Sequence, residues 1–416
     1  MPVGLLAVAL VVVRLGVLVY SSFQQVVHSR EQQRLSLKFL NDRISEKKRQ
    51  QDVDTLAWNG YRKFVIDRTV SEGEGICSFY LAPHDDKPLP GFRPGQYLTF
   101  RLGIPGREKP VVRCYSLSDS HRQDRYRVTI KRVPAPAEPP DAPPGLVSNY
   151  FHEQLGKGDI LDAQAPRGQF FLDPEKQRPA VFIAGGVGVT PLLSMAKTVA
   201  DMKSQREILF FYGVRHRAEH AFREELEKVA EQHPNIRVVV CYSNPRPEDE
   251  TGEGRDYQHD GRITIELIRS YLASTNYEVY LCGPPAMTES LVPQLVKWGV
   301  AKKDIHTEAF GPASISKAPS KAAAEAKEKG SPPCQVKFAK SGKTCAWNVG
   351  SINLLDFALA NGVSIDSGCR AGNCGTCVVA IKSGRMAYLA EPGAEIEDGA
   401  CLTCIAAPEG DLVLDA

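Results

Sequence analysis

Four cysteines near the C-terminus have the residue type and the spacing of ligands for a metal centre. They follow the pattern C-x4-C-x2-C-x26-C and are Cys369, Cys374, Cys377 and Cys404. Three glycines lie beside or between the first three, and glycine tolerates the positive φ angles that a loop wrapped closely around a metal centre requires. A zinc site is the alternative, although zinc sites more usually show two C-x2-C pairs. Cys401 competes with Cys404 for the role of fourth ligand.

An arginine and a tyrosine in one short motif have the chemistry to bind a phosphate and a planar ring. The motif is Arg113-Cys114-Tyr115-Ser116, and Gly95-Gln96-Tyr97 precedes it. A guanidinium binds phosphate oxygens through two parallel hydrogen bonds, and an aromatic face covers a flat ring. Alone the motif is weak, because a strand-end arginine beside a half-buried tyrosine is an equally good interpretation. Two further motifs, Gly145–Tyr150 and Glu308–Pro312, supply the context that favours a ligand site.

A glycine-rich stretch between an expected strand and an expected helix favours a nucleotide site. Its residues are Gly185, Gly186, Val187, Gly188, Val189 and Thr190. Glycines let the backbone approach a pyrophosphate, and a helix N-terminus presents N–H donors and the positive end of its dipole. Pro191 stands where G-x-G-x-x-G has its third glycine, and proline suits a first helical turn. Cys282-Gly283-Pro284-Pro285 follows another expected strand, at the carboxyl end where open α/β sheets bind ligands. Taken alone, Cys282 would be interpreted as a buried small hydrophobe.

The elements that must position these motifs follow from two different hydrophobic periods. Short alternating runs with Pro/Gly-rich turns predict a small antiparallel β domain that ends near Asp173. Its expected strands are Cys77–Leu81, Gln96–Leu102 and Arg125–Val133. Beyond it, short apolar strands alternate with helices such as Pro285–Trp298, which predicts a parallel sheet with helices on both faces. Those strands are Ala180–Ala184, Ile208–Tyr212, Ile236–Cys241 and Tyr277–Leu281.

The N-terminal segment, residues 1–28, has the composition of a membrane anchor. Val3–Tyr20 is apolar except for Arg14, and extension to Val27 supplies the about 20 residues that a span needs. Its twelve Leu/Val residues contribute roughly −4 to −7 kcal/mol to insertion, which outweighs the roughly 2.5–3.5 kcal/mol cost of a central arginine. Basic residues follow the segment and none precedes it, which predicts a single-pass protein with its catalytic domains on the cytoplasmic side. An uncleaved signal peptide and an interfacial helix are the alternatives.

The amino-acid composition excludes some classes of protein. The chain has 416 residues, enough for several domains, and its 43% hydrophobic and 24% charged residues are ordinary for globular domains. A net charge of +2 without a basic stripe argues against a nucleic-acid partner. Eleven cysteines, most of them scattered singly through a chain of this length, indicate a reducing compartment with one metal site rather than a disulfide scaffold.

The run Ser367–Cys377 resembles the plant-type [2Fe–2S] ferredoxins, and this resemblance covers residues 334–416. It implies an α+β, β-grasp-like domain in which Cys404, in the run Leu402-Thr403-Cys404, is the fourth ligand and Cys401 is a core thiol. The Ala-, Lys- and Ser-rich residues 313–333 before this domain predict a flexible linker. Residues 29–57, after the anchor, predict a polar helical stalk.

Residues 58–312 resemble the ferredoxin–NADP⁺ reductase superfamily, particularly the reductase part of flavohaemoglobins and the reductases of oxygenase systems. The resemblance implies an antiparallel β-barrel that binds FAD over residues 58–175 and an α/β parallel-sheet domain that binds NAD(P) over residues 176–312. Tyr115 would pack on the isoalloxazine, and Ser116 would contact its N5 edge. The other implied contacts are Arg113 and Ser148 to the pyrophosphate, Tyr97, Cys114 and Phe310 around the flavin, and Thr190, Cys282, Gly283 and Pro284 around the nicotinamide.

Together the resemblances imply an NAD(P)H-dependent oxidoreductase that passes electrons through FAD to the [2Fe–2S] cluster and on to a separate acceptor. A flavin accepts a two-electron hydride and the cluster carries one electron, so the series converts hydride donation into single-electron delivery. The acceptor is expected to be an oxygenase, a haem protein or a membrane desaturase. The alternative is the electron-input component of a membrane redox complex such as the sodium-pumping quinone reductase, in which the ferredoxin domain precedes the flavin domain.

The choice between NADH and NADPH depends on residues after the second and third parallel strands. Tyr212–Arg215 lacks the acidic residue that would hold a ribose 2′-hydroxyl, and Arg215 and Arg217 could meet a 2′-phosphate. Tyr242–Pro245, however, lacks the Ser-Arg pair found in many NADPH-dependent relatives. Taken together, these two segments favour NADH over NADPH.

Removal of residues 1–28 tests the anchor. Because the predicted domains begin at residue 58, the shortened protein should be soluble and should still oxidise NAD(P)H with ferricyanide. Fractionation of both forms gives the answer: a full-length protein already found in the soluble fraction, or a shortened one without flavin, would contradict the anchor.

Overall fold

The computed structural model describes one large folded unit and a few isolated residues before it. The described residues are 14, 16, 20, 30, 58–135, 143–309, 334–347, 353–368, 370, 372, 374–389, 392, 394 and 396–416. The chain divides into two compact units, Met1–Ala57 and Trp58–Ala416. In the first unit the four described residues are helical and exposed. A search of the described residues finds no helix with the length and apolarity to cross a membrane. Nearly all of the predicted anchor and stalk, the linker, Phe310 and Cys369 lie outside the described residues.

The first domain of the large unit is built on six antiparallel strands. They are β1 (Arg62–Gly73), β2 (Ile76–Pro83), β3 (Tyr97–Leu102), β4 (Val111–Ser116), β5 (Tyr126–Lys131) and β6 (Ile160–Ala163), in the order β4-β3-β6-β1-β2-β5. A bridge between Leu117 and Val128 connects the two outer strands just beyond β4. Helix α1 (Leu146–Gln154) packs Phe151 edge-on against Phe79 and Phe100. The predicted antiparallel domain is confirmed, and its three predicted strands end within two residues of the observed ones.

The second domain is a six-stranded parallel sheet. Its strands are β7 (Ala180–Gly185), β8 (Ile208–Val214), β9 (Ile236–Tyr242), β10 (His259–Asp260), β11 (Glu278–Gly283) and β12 (Ile305–Ala309), in the order β10-β9-β8-β7-β11-β12. Its helices are α2 (Val189–Asp201), α3 (Arg223–Gln232), α4 (Ile265–Tyr271) and α5 (Pro285–Trp298). Phe182 faces the core beneath α2 and α3, and its neighbours Val181 and Ile183 face the core beneath α4 and α5. The predicted sheet with helices on both faces is therefore confirmed.

The C-terminal domain combines a mixed sheet with one helix. Its strands are β13 (Gln335–Phe338), β14 (Lys343–Ala346), β15 (Val378–Ser383), β16 (Met386–Tyr388), β17 (Ala400–Leu402), β18 (Ala406–Pro408) and β19 (Leu412–Leu414). The larger sheet has the order β14-β13-β19-β15-β17, with β13 and β19 parallel. Asn353 caps helix α6 (Leu354–Ala360) by accepting the N–H of Asp356 at 2.9 Å. Leu354 and Phe357 of this helix pack into the core beneath the cysteine-bearing loop.

Candidate functional site

Strands β3 and β4 bring the flavin motif together. Tyr97 stands opposite Ser116, and Leu98 stands opposite Tyr115. Because side chains alternate along a strand, Arg113 and Tyr115 share one face of β4, and Ser116 lies on the other. Burial raises the pKa of Tyr115, whose ring meets those of Phe151 and Phe100 with centroids 5.4 and 6.0 Å apart. An arginine and a fixed aromatic ring on one strand face suit a ligand that joins a pyrophosphate to a planar ring.

Ser148 lies in the first turn of α1, close to the strand that follows the flavin motif. Its hydroxyl accepts the N–H of Val133 at 3.2 Å and donates to the carbonyl of Gly145 at 3.1 Å. A Cβ on Gly145 would lie 2.7 Å from the Cβ of Val133, so only glycine allows this approach. The helix start is thus held against the barrel, and the role of Ser148 at a pyrophosphate stays a prediction.

The glycine loop and the Cys282 loop touch at the carboxyl end of the parallel sheet. A Cβ on Gly188 would lie 2.2 Å from the carbonyl oxygen of Cys282, and one on Gly185 would lie 2.8 Å from Cδ of Pro284. Thr190 is buried and donates its hydroxyl to the carbonyl of Val187 at 3.0 Å. The loop leads directly into the thirteen-residue helix α2, and the N–H of its first residue, Val189, donates to the carbonyl of Gly186. The N-terminus of α2 presents the positive end of the helix dipole to an anion. The arrangement fits a dinucleotide that crosses this edge.

Glu308 is a site residue to which sequence reasoning assigned no role. It lies on β12 opposite Cys282 of β11, and its buried carboxyl has one oxygen, Oε2, without a hydrogen-bond partner. Burial raises the pKa of Glu308 to about 8, although a hydrogen bond with Ser116 opposes the rise. Burial also raises the pKa of the Cys282 thiol, and the neighbouring Glu308 adds to the rise. These contacts bring together Ser116, Cys282 and Glu308. A neutral carboxyl that has one oxygen without a hydrogen-bond partner suits the polar edge of a bound ring.

Two arginines beyond β8 flank the same edge of the sheet. Arg215 donates to Glu219 through Nε at 2.9 Å and through Nη2, and Lys131 reaches the same carboxylate at 3.0 Å. The Arg215 hydrogen bonds, followed by Lys131, hold the pKa of Glu219 at about 2. Arg217 lies 3.4 Å from Asp256. Both arginines that could meet a 2′-phosphate are thus paired with carboxylates.

Three of the four predicted cluster cysteines lie together in the C-terminal domain. Cys374, Cys377 and Cys404 are buried, and the thiol of Cys377 lies within hydrogen-bonding reach of Cys404. The backbone N–H of Gly372 donates to Sγ of Cys404 at 3.3 Å. Within the described part of the chain, which omits Cys369, no group of three or more side chains has the geometry of a metal site. Buried thiols with a backbone N–H aimed at one sulfur have the chemistry that a [2Fe–2S] cluster requires.

Cys401 has different surroundings from Cys404. It lies on β17 opposite Val379, in the interior of the domain. Burial raises the pKa of its thiol to about 12, with a further contribution from Cys377. Cys401 is thus enclosed among apolar side chains of the core, whereas Cys404 receives the N–H of Gly372 and lies beside Cys377. This geometry suits the predicted assignment of Cys404 as the fourth ligand, which itself stays a prediction.

The cysteine loop lies against the flavin motif. A Cβ on Gly368 would lie 3.0 Å from Cγ1 of Val112 on β4, and 2.9 Å from Sγ of Cys374. Burial lowers the pKa of Arg113, and the charge of Arg370 on the cysteine loop lowers it further. The predicted cluster site and the predicted flavin site are therefore neighbours.

Substitution Gly188→Ala tests the contact between the two loops. The added methyl group would meet a backbone carbonyl, so the loop must move, and overpacking of this kind costs about 1–3 kcal/mol. NADH affinity should fall about tenfold or more while flavin content is kept, as measured by titration and absorbance. Gly156→Ala, where a Cβ meets nothing within 4 Å, is the matched control; equal NADH affinity in both variants would contradict the site.

Serine substitutions separate the two candidate ligands. Cys404→Ser should bleach the visible absorbance of the iron–sulfur cluster because a thiolate ligand is lost, whereas Cys401→Ser should keep it. The opposite pattern of bleaching would reverse the assignment.

Comparisons with known proteins agree with this geometry. The chain matches two protein-family profiles, the oxidoreductase NAD-binding domain over residues 182–292 and the 2Fe-2S iron-sulfur cluster binding domain over residues 336–409. It is 39% identical over 256 residues to the flavohemoprotein of Halalkalibacterium halodurans, which covers 62% of this chain and 61% of that protein. The chain thus spans less than two thirds of the length of that relative.

Two solved structures extend the comparison. The FAD/NAD-binding domain of nitric oxide dioxygenase from Vibrio cholerae O1 biovar El Tor is 31% identical with a TM-score of 0.53, and the match covers 61% of this chain and all of that one. Phthalate dioxygenase reductase shares the fold at 23% identity and a TM-score of 0.53, over 86% of this chain and 98% of its own. The chain therefore belongs to the ferredoxin–NADP⁺ reductase superfamily of NAD(P)H-dependent oxidoreductases, as a member with a [2Fe–2S] ferredoxin domain fused at its C-terminus.

Proposed function

We propose that this chain takes hydride from a reduced nicotinamide, passes single electrons through its own [2Fe–2S] domain and delivers them to a separate acceptor protein. FAD supplies the conversion between a two-electron hydride and single electrons, and the cluster supplies a one-electron carrier. The contact between the cysteine loop and β4 carries the proposal, because it brings the cluster thiols beside the strand that bears Arg113 and Tyr115. No further protein is needed between the two cofactors.

The chain's own residues hold the reactants at this junction. Arg113 is half-buried and presents a guanidinium for a pyrophosphate, and Tyr115 is fixed by Phe100 and Phe151 as a wall for the flavin ring. The start of α2 presents the positive end of its helix dipole to the nicotinamide dinucleotide. Glu308 is protonated below about pH 8, so it can donate a hydrogen bond without placing a negative charge in a buried site.

NADH is proposed as the preferred donor. The proposal is supported by the pairing of Arg215 with Glu219 and of Arg217 with Asp256. A 2′-phosphate would have to compete with a carboxylate for each guanidinium, and it would approach the negative charges of Glu219 and Asp256. The 2′-hydroxyl of NADH has neither conflict.

The acceptor is proposed to be an oxygenase, a haem protein or a desaturase, since these use the single electrons that a [2Fe–2S] domain delivers. Phthalate dioxygenase reductase, a modular structure for electron transfer from pyridine nucleotides to [2Fe-2S], shares the fold over 86% of this chain. The single-pass anchor formed by residues 1–28, with the folded domains on the cytoplasmic side, is part of the proposal and rests on the apolar sequence of that segment.

A version that ends at Pro312 tests the route. It should keep ferricyanide reduction, because hydride transfer needs only the flavin and nucleotide domains, and it should lose reduction of cytochrome c. Full-length Cys404→Ser, which should lack the cluster, is the control and should behave in the same way. Assays with both NADH and NADPH should give the larger kcat/KM with NADH. Cytochrome c reduction at the full-length rate by the shortened version would contradict a route through the cluster.

A further inference from the structure

Helix α2 carries a polar stripe that faces the flavin domain and is buried at Thr190 and Ser194, half-buried at Lys197 and exposed at Asp201. The stripe runs from the nicotinamide end of the helix to its C-terminus and consists of Thr190, Ser194, Lys197 and Asp201. Spacings of three and four residues put all four side chains on one face. The other buried positions of the helix are apolar, among them Leu192, Leu193 and Val199. Thr190 and Ser194 are therefore buried polar residues among apolar ones, which the solvated side of an amphipathic helix would not explain.

Three residues of the stripe contact one short segment of the flavin domain. Ser194 donates its hydroxyl to the carbonyl of Asp119 at 2.7 Å, and Lys197 lies 2.5 Å from the carboxylate of Asp119. Asp201 accepts the hydroxyl of Ser120 at 2.6 Å. Asp119 and Ser120 follow Ser116, the last residue of the flavin motif, by three and four positions. Only a few residues thus separate this contact from either cofactor motif.

A second layer holds the contact in place. Glu225 of α3 accepts from Arg127 of the flavin domain at 2.5 Å and from Lys197 at 2.8 Å. Arg127 is almost fully buried and also donates to the carbonyl and the hydroxyl of Ser118. The hydroxyl of Ser118 continues to Thr129 at 2.8 Å, within the strand β5. Lys197 is thereby held between one carboxylate from each domain.

We propose that Asp119, Ser120, Ser194, Lys197 and Asp201 form an interdomain clasp whose task is to set the distance between the nicotinamide and the flavin. Thr190 and Lys197 are separated by seven residues of one rigid helix, about 10 Å along its axis. A shift of the helix at Lys197 therefore displaces Thr190 and the glycine loop by a similar amount. Since a misplacement of about 1 Å can cost about 100-fold in rate, Lys197 and Asp119 are positioning residues for hydride transfer. This inference rests on the proposed function.

Lys197→Met tests the clasp, because it removes the charge and keeps most of the side-chain length. Flavin reduction by NADH in rapid mixing should slow about tenfold or more, while the dissociation constant for NADH changes less than about twofold. Lys197→Arg, which restores a cation between Asp119 and Glu225, should recover part of the rate. Deuterated NADH should show that hydride transfer itself is the slowed step.

Lys176→Met is the matched control. Lys176 pairs with Glu278, the first residue of β11, at 3.2 Å, so its loss removes a lysine–glutamate pair that is not part of the clasp. If Lys197→Met and Lys176→Met reduce the flavin at the same rate, the clasp has only a structural role and the inference is wrong. Should Lys197→Met fold poorly, Ser194→Ala removes one hydroxyl from the same stripe and must slow flavin reduction for the inference to stand. A wild-type protein whose flavin is reduced by neither NADH nor NADPH would instead contradict the proposed function.

Discussion

Contact between two backbone loops at the carboxyl end of the parallel sheet constrains the rest of the molecule. Gly188 and the carbonyl of Cys282 approach so closely that a single methyl group would separate them. The approach ties the start of α2 to the end of β11, and the register of β11 with β12 then places Glu308 beside Cys282. Ser116 reaches the same carboxyl from the flavin domain. The site is thus assembled from four chain segments that lie far apart in the sequence.

The ion pairs between the flavin and nucleotide domains mainly fix the orientation of one domain relative to the other. Glu225 joins Arg127 to Lys197, and Glu219 joins Lys131 to Arg215, so each glutamate bridges one cation from each domain. For the almost fully buried Arg127, loss of the carboxylate of Glu225 would leave an uncompensated charge at a cost of about 3–5 kcal/mol. Arg215 is 63% exposed, so its pair contributes much less. Two domains joined in this way have few alternative arrangements at low energy. That property suits a site in which two rings must meet at a fixed distance.

Elements whose ends are set by neighbouring residues could be predicted from the sequence. Elements that depend on pairing with residues far away in the chain were missed. Helix α5 was predicted with both ends correct, because Pro285 occupies its first position and Gly299 ends it with a φ of 114°. Strand β12, with the sequence Ile-His-Thr-Glu-Ala, has no apolar run and was missed, since only its pairing with β11 makes it a strand. Glu308 belongs to a motif that the sequence singled out, but its role depends on Cys282 and Ser116, which are distant in the sequence, and was not predicted. The cysteine pattern identified the cluster domain, but its contact with β4 depends on packing between domains that no local pattern encodes.

We propose that electrons reach the cluster only through the flavin, because the two neighbours of the flavin motif lie at opposite ends of β4. Glu308 of the nucleotide domain meets Ser116 at one end, and the cysteine loop contacts Val112 at the other. Rapid mixing of the full-length protein with NADH, followed by absorbance and by electron paramagnetic resonance of frozen samples, measures the order directly. For a route through the flavin, flavin absorbance should bleach first and the signal of the reduced cluster should follow. A cluster reduced before the flavin, or at an unchanged rate in protein stripped of FAD, would contradict it.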